Sequence, residues 1–572
     1  MPSDTEASRR RRSADGVVWE VLPAWRSRLL ASGELDLDLW RRKQRVRVVK
    51  DGLHRTVYRI DLTDQAVYLK HYRCRRVSQA VRHLFRASAA RREWDKANEL
   101  ARRKIPTIHP VGLGEQVSAC LVRDNFFVSE AVPRSHSLDD YAAKVLALLP
   151  EGERSRQRRQ LCVELAKLTA DLHRAGVFHH DFHAGNVLVQ RTESAALPAL
   201  AAGFRLLLID LPSVAFSRPL NWRRSLASLV MLGTGLLERT SKAERWRFWR
   251  AYLLYRNDLS ELDVRRMACL IERRCFNRAR RILGARDKRA LRVNRDFIRF
   301  ETAEVVAHAV SDLPRDALCQ LAAEPDEPLR RFVGRPVKLS RRGVVVEARW
   351  PAVRGIARVA YKRYRPKNLW KACLDRFRQS PARAGWYVGH ALLSRGIATA
   401  RPIALVEPRR GPQRSYLVTE WIEGGLNLHL YLWQLAEQSP PVRRRRVRHV
   451  AESLGRLIGR MHRWRISHRD LKACNLMLVE QPDAVESLLV DVGGVRFRRR
   501  ISKRRRARNL ARLAVSLELH PWLTRGDRLR FLRAYLKAGG RPAGEWKALW
   551  RRIAVQALRH TSRMRRRGRP VA

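Results

Sequence analysis

The sequence predicts an α+β fold made twice in tandem, each copy a small β-rich lobe followed by a mainly helical one. Three observations carry the prediction. Motifs recur in the same order in both halves of the chain. Within each half, period-two alternation of apolar residues gives way to helical spacing. Each half also holds an H-x-D segment with an asparagine five residues after the aspartate: VFHHDFHAGNVLV over 177–189 and ISHRDLKACNLMLV over 466–479.

The repeat is the firmest of the three. AVYLKHYR (66–73) is answered by RVAYKRYR (358–365), RKIPTIHP (103–110) by RGIATARP (395–402), and NFFVSEAV (125–132) by RSYLVTEWI (414–422). Beyond the H-x-D segments, RLLLIDLP (205–212) is answered by SLLVDVGG (487–494) and RFWRAYL (247–253) by RFLRAYL (530–536). The offset stays between about 292 and 281 residues, as two homologous modules in tandem require.

In the first module, residues 46–72 alternate around turn residues Asp51, Gly52 and Asp64, which predicts two or three antiparallel strands. The mixed charged segment 75–104 predicts a helix and VSEAV the end of another strand. LCVELAKLTADLHRAG (161–176) spaces its apolar residues at three and four, as an amphipathic helix does. Residues 186–190 and 205–210 predict a short hairpin, and the pattern is mostly helical from 221 onward. SDLPRDALCQLAAEPDEPLRR (311–331), acidic and proline-bearing, marks the boundary. The expected division is a basic tail and lead-in over 1–30, a first module over 31–320 and a second over 321–572.

Composition bounds the partners. The chain has 572 residues, 45% apolar and 30% charged, and a formal charge of +63. Such a charge predicts attraction to a polyanion: nucleic acid, an anionic membrane surface or a phosphorylated substrate. No helix-turn-helix, zinc-finger spacing or RNP-like motif accompanies it, so no specific nucleic acid is expected. Eight cysteines without a CxxC pair suit a reducing compartment. No apolar h-region follows the N-terminal arginines, and no uncharged apolar stretch approaches the length of a membrane span. A cytoplasmic protein is expected.

The repeated spacing has a chemical reading. Phosphoryl transfer needs a carboxylate to orient the accepting hydroxyl, an asparagine and a second carboxylate to hold Mg²⁺, and a lysine on the nucleotide phosphates. An H-x-D loop with its asparagine supplies the first two, and an aspartate ending the next apolar strand supplies the third. The first module offers Asp181, Asn186, Asp210 and Lys70; the second offers Asp470, Asn475, Asp491 and Lys362. The rival reading of His179, His180 and His183 as a zinc cluster lacks a matching ligand set in the second copy, which writes HRDLK.

On these motifs, over about 45–255 and 335–540, each half resembles the protein-kinase-like fold. HHDFHAGNVLV with IDLPSVAF is similar specifically to the lipopolysaccharide core sugar kinases of the Kdo/WaaP family; HRDLKACN is closer to protein-kinase wording. The resemblance implies ATP with Mg²⁺ as donor and a Kdo or heptose hydroxyl of an acidic glycolipid as acceptor, used on the inner face of the cytoplasmic membrane. It implies Asp181 and Asp470 as catalytic bases, and Asn186, Asp210, Asn475 and Asp491 as metal ligands. Lys70, Glu93, Glu130, Lys362 and Glu420 are the implied cofactor contacts. Glu93, in RREWDKANEL, would pair with Lys70.

The second module departs from this pattern. Aligning RGIATARP with RKIPTIHP puts Gly385 where Glu93 stands and Trp386 opposite Trp94. The one acid between Lys362 and Glu407, Asp375, lies too near the strand to substitute. A pair in which the second module is regulatory or binds the acceptor is therefore the alternative, with a protein kinase as another and a basic nucleic-acid-binding protein, suggested by charge alone, as the last. Neither module has a glycine-rich phosphate loop: VVKDGLHRTVYRI (48–60) offers Gly52 and SRRGVVVEARW (340–350) offers Gly343. The arginine runs 443–448, 496–508 and 563–569 read as solvated faces able to meet anionic headgroups.

Overall fold

The computed structural model describes residues 11–12, 16–31, 34–52, 54–74, 87–118, 121–192, 203–259, 263–332, 336–340, 343–352, 355–365, 379–409 and 414–568. It divides into two compact units, Met1–Ala279 and Arg280–Ala572.

Each unit opens with a seven-stranded antiparallel sheet of the same order. In the first the sequence across the sheet is Arg11–Arg12, Val17–Val21, Pro110–Ser118, Leu121–Glu130, Ala66–Tyr72, Arg55–Asp61 and Val46–Lys50. In the second it is Phe297–Glu301, Val305–Val310, Pro402–Pro408, Ser415–Glu420, Gly355–Tyr364, Gly343–Ala352 and Lys338–Ser340. The helices Ala89–Arg102 and Pro381–Leu393 occupy equivalent places on the two sheets. The first starts at Ser88, whose hydroxyl accepts from the Arg91 N–H, and the second at Ser380, which accepts from Arg383 in the same way.

The larger lobes are helical. Glu151–Arg174, Trp222–Leu236, Lys242–Tyr255 and Val264–Asp287 are matched by Pro440–Arg463, Lys503–Ser516, Arg525–Ala538 and Trp546–Arg565. The predicted fold class, strand-rich then helical and twice over, is the observed one. The predicted hairpin is Val187–Thr192 paired with Gly203–Leu208 in the register Val187 to Leu208. The helix expected from 161 begins almost three turns earlier, at Glu151. Residues 75–86 of the expected 75–104 helix lie outside the described residues; the helix seen is Ala89–Arg102.

Three assignments made from sequence differ from the structure. Residues 17–29, set outside the first module, belong to it: Val17, Trp19, Val21, Trp25 and Leu29 are buried in the core of the first sheet. The segment 297–310, read as helical and as part of the first module, forms two strands of the second sheet, Val305–Val310 pairing with Pro402–Pro408. The residues just before this segment, Asp287 and Ala290, are bound into the second unit by buried contacts. Trp386 Nε1 donates to Ala290 O at 2.7 Å, and Arg395 Nη2 lies 2.7 Å from Asp287 Oδ2, both side chains almost fully buried. The expected boundary over 311–331 is instead the helix Arg315–Ala323, whose Ala317, Leu318 and Leu321 join the second core, followed by the short helix Glu327–Arg330.

Candidate active site

In the first unit, Lys70 stands on the strand Ala66–Tyr72, and its ammonium donates to Glu93 Oε1. Glu93 comes from the helix Ala89–Arg102 and is fully buried. Its other oxygen accepts from Tyr72 Oη at 2.5 Å. Burial and the adjacent carboxylate push the Tyr72 phenol far up, so it stays a donor. A buried carboxylate is tolerated here because an ammonium and a phenol both serve it.

The H-x-D loop is stitched to the strand end that carries Asp210. His179 accepts from the Asp181 N–H at Nδ1 (3.1 Å) and meets Ile209 O at Nε2 (3.2 Å). That pairing requires the neutral tautomer with its proton on Nε2, and burial holds the imidazole below its ordinary value. Asn186 Nδ2 donates to Asp181 O at 2.8 Å, and the Ile209 N–H donates to Asn186 O at 3.0 Å. The chain enters the loop through Gly176 at φ +70°, where a Cβ would stand 2.0 Å from Ser217 O. Asp210 itself is left-handed, φ 61° and ψ 53°, a conformation that costs a non-glycine residue about 1 kcal/mol.

Two residues that no sequence motif marks complete this site. Arg55 Nη1 lies 3.3 Å from Asp210 Oδ1, and its guanidinium sits 5.9 Å from the Tyr72 ring centroid. Lys96 Nζ donates to Pro212 O at 2.7 Å, tying the glutamate helix to the segment after Asp210. Lys70, Glu93, Tyr72, Arg55 and Asp210 thus form one connected set, and His179 joins Asp181 and Asn186 to the same strand end. Glu130 stands apart: it ends the strand Leu121–Glu130, with His109 Nδ1 at 3.5 Å.

The donor set fits Mg²⁺. Asn186 spends its amide nitrogen on Asp181 O, leaving its oxygen for a cation, and Asp210 offers a carboxylate. Hard oxygen donors in this number, completed by phosphates and water, are how Mg²⁺ is usually held. No three His, Cys, Asp or Glu side chains converge as a metal cluster among the described residues. His179 is occupied by backbone contacts, which removes it from the zinc reading.

The second unit repeats the loop but not the pair. His468 Nδ1 accepts from the Asp470 N–H (3.2 Å), its Nε2 meets Asp491 O (2.6 Å), and Asn475 Nδ2 donates to Asp470 O (2.7 Å). Lys472 Nζ lies 3.4 Å from Asp470 Oδ2, where the first unit has His183 at 3.5 Å from Asp181. Among the described residues no carboxylate makes an ion pair with Lys362; Asp375 lies outside them. Burial pushes the Lys362 ammonium down, with Asp491 opposing and Lys338 adding to the effect. Gly385 is buried in its helix at the Glu93 position. Asp491 is extended rather than left-handed, φ −101° and ψ 88°, and accepts from the Gly493 N–H at 3.1 Å. Glu420 ends its strand exposed.

Comparison with known proteins follows the same two blocks. The lipopolysaccharide kinase (Kdo/WaaP) family matches residues 38–252 and again 341–535. The lipopolysaccharide core heptose(I) kinase WaaP of Pseudomonas aeruginosa is 33% identical over 162 residues, which span 27% of this chain and 59% of that protein. The protein of the same description from Escherichia coli is 26% identical over 207 residues, 35% of this chain and 74% of its own length. A solved structure, WaaP in complex with acyl carrier protein, is 22% identical and covers 45% of this chain and 97% of that one, with a TM-score of 0.32. Among the described residues no helix is long and apolar enough to cross a membrane.

Proposed function

The chain belongs to the lipopolysaccharide kinase (Kdo/WaaP) family, and from that premise we propose that it transfers phosphate from ATP to a sugar hydroxyl of the lipopolysaccharide inner core, using its first module. The observation that carries this reading is the buried Lys70–Glu93 pair, which among the described residues has no counterpart in the second module. Heptose is the favoured acceptor, because the relatives are named for heptose(I).

The proposed roles follow the geometry. Lys70, held extended by Glu93, binds the nucleotide phosphates, and Glu130 contacts the cofactor from its strand end. Asn186 and Asp210 would hold Mg²⁺, which would screen the charge of the transferring group. Asp181 receives the proton of the acceptor hydroxyl, and its loop is kept in place by the neutral His179. The charge of +63 suits an acidic glycolipid presented on an anionic membrane surface, with the protein peripheral on the cytoplasmic side.

We assign the second module a helper role: regulation, or binding of the acceptor. It keeps Asp470, Asn475, Asp491, Glu420 and Lys362, but the helix carboxylate that would pair with Lys362 is replaced by Gly385, and only Asp491 acts on the ammonium to oppose its burial. The test is transfer of labelled phosphate from ATP and Mg²⁺ to purified envelope glycolipid by the wild type, Asp210→Ala and Asp491→Ala. Loss of label with Asp210→Ala and its retention with Asp491→Ala is the expected result. Background label from the wild type would sink the sugar-kinase reading; loss with Asp491→Ala alone would exchange the modules' roles.

A further inference from the structure

We propose that Arg55 is the nucleotide-phosphate clamp of the first module, supplying with one guanidinium what its turn lacks in glycine. This rests on the ATP-dependent reading above and adds a binding residue to it.

The turn between Val46–Lys50 and Arg55–Asp61 is built on side chains. Asp51 accepts from Thr56 Oγ1 at 2.6 Å and has Arg73 at 3.9 Å. The Asp51 carboxylate accepts these contacts and offers no donor to a phosphate chain, so a donor for one has to come from another side chain. Gly52 is the turn's one glycine, too few to expose a run of backbone amides.

Register places Arg55 where such a donor is useful. It pairs with Tyr72 while Val57 pairs with Lys70, so Arg55 and Lys70 are diagonal neighbours on one face of adjacent strands. The guanidinium reaches from there to Asp210 Oδ1 at 3.3 Å and lies along the Tyr72 ring, with both charged side chains only partly exposed. It therefore bridges the small lobe's lysine and the large lobe's proposed metal aspartate, a span that a nucleotide's phosphates would share. A guanidinium has five N–H donors in a rigid fork suited to phosphate, and the contact with Asp210 uses one of them.

The second module lacks this arrangement. The residue paired with Tyr364, the counterpart of Tyr72, is Gly343, where a Cβ would stand 2.2 Å from Arg363 O. No side chain can occupy the Arg55 position there. Among the described residues, the Arg55 position, the Lys70–Glu93 pair and the left-handed Asp210 thus occur in the same copy.

The experiment is calorimetric titration of the full chain, carrying Asp491→Ala so that the second module's aspartate does not contribute, with ATP, ADP and adenosine in the presence of Mg²⁺. Arg55→Ala is expected to weaken ATP binding by about tenfold or more, the scale of a lost charge-assisted contact, ADP by less, and adenosine not at all. Arg55→Lys recovers part of the loss, because it returns the charge without the fork. ATP binding by Arg55→Ala within twofold of its parent overturns the proposal and leaves the kinase reading standing. Equal weakening of ATP and adenosine also overturns it, since that marks a damaged fold. A parent chain that binds no ATP overturns both.

Discussion

A Cβ on Gly385 would stand 2.7 Å from Leu417 Cδ2. Leu417 is the residue paired with Lys362, as Phe127 is with Lys70. In the second module, therefore, a leucine methyl already fills the path that a glutamate side chain would take from the helix toward the lysine.

Restoring the glutamate should consequently fail on its own. Gly385→Glu overpacks a buried contact, a class of change that costs about 1–3 kcal/mol, and its thermal midpoint should fall. Gly385→Glu combined with Leu417→Ala should recover part of that loss, because the path is cleared and Lys362 gains a partner. Equal midpoints for the single and double variants would show that Leu417 is not the obstacle.

The pair in the first module predicts the converse. Lys70→Met leaves Glu93, fully buried, with only the Tyr72 phenol. An unpaired buried charge costs about 3–5 kcal/mol. Lys70→Met with Glu93→Gln removes the charge and should be the more stable of the two in urea unfolding. A double variant no more stable than Lys70→Met would mean that Glu93 does not depend on the lysine for its charge.

Much of this site is legible in the sequence. The H-x-D loops, their asparagines and the strand-ending aspartates are close together along the chain, and the glycine in place of Glu93 follows from aligning its two copies. Arg55 is not legible, since its place beside Asp210 depends on hairpin register, and a one-residue slip would put it on the other face. The early start of the helix Glu151–Arg174 is hidden because its first turns, EGERSRQRRQ, are charged and mostly solvent-facing, so no apolar stripe announces them. The strands of 297–310 are lost in a helical pattern, although FIRF and the largely buried VVAHAV are short runs that only their sheet partners identify.

Buried histidines predict an acid limb. His462 accepts from Tyr535 Oη at Nδ1 (2.9 Å) and donates from Nε2 to Asn509 Oδ1 (3.0 Å), and burial holds it down at about 4, from an ordinary 6.5. The unfolded chain protonates first as the pH falls, so unfolding takes up a proton between about pH 6.5 and 4. The stability from keeping this ring neutral is full above that window and declines as the pH drops through it, by about 1.4 kcal/mol per unit. His462→Gln should flatten the dependence of the urea midpoint on pH across the window, whatever it costs at pH 7. An unchanged slope would place the acid sensitivity elsewhere.

The last prediction concerns where the second module begins. A chain started at residue 321 lacks Val305–Val310, whose Ala307 and Ala309 are fully buried, and leaves Pro402–Pro408 as an open edge strand. It also deletes Asp287, leaving the buried Arg395 without its carboxylate, and removes the carbonyl that accepts from Trp386 Nε1. A chain started at residue 280 keeps all of these. Residues 280–572 should therefore be soluble and melt in a cooperative transition, whereas 321–572 should aggregate or lack one. If the two fragments melt alike, the strands before residue 311 are an appendage and the boundary belongs at 320; if only the longer one folds, the lead-in is as much part of the second module as Val17–Val21 and Trp25 are of the first.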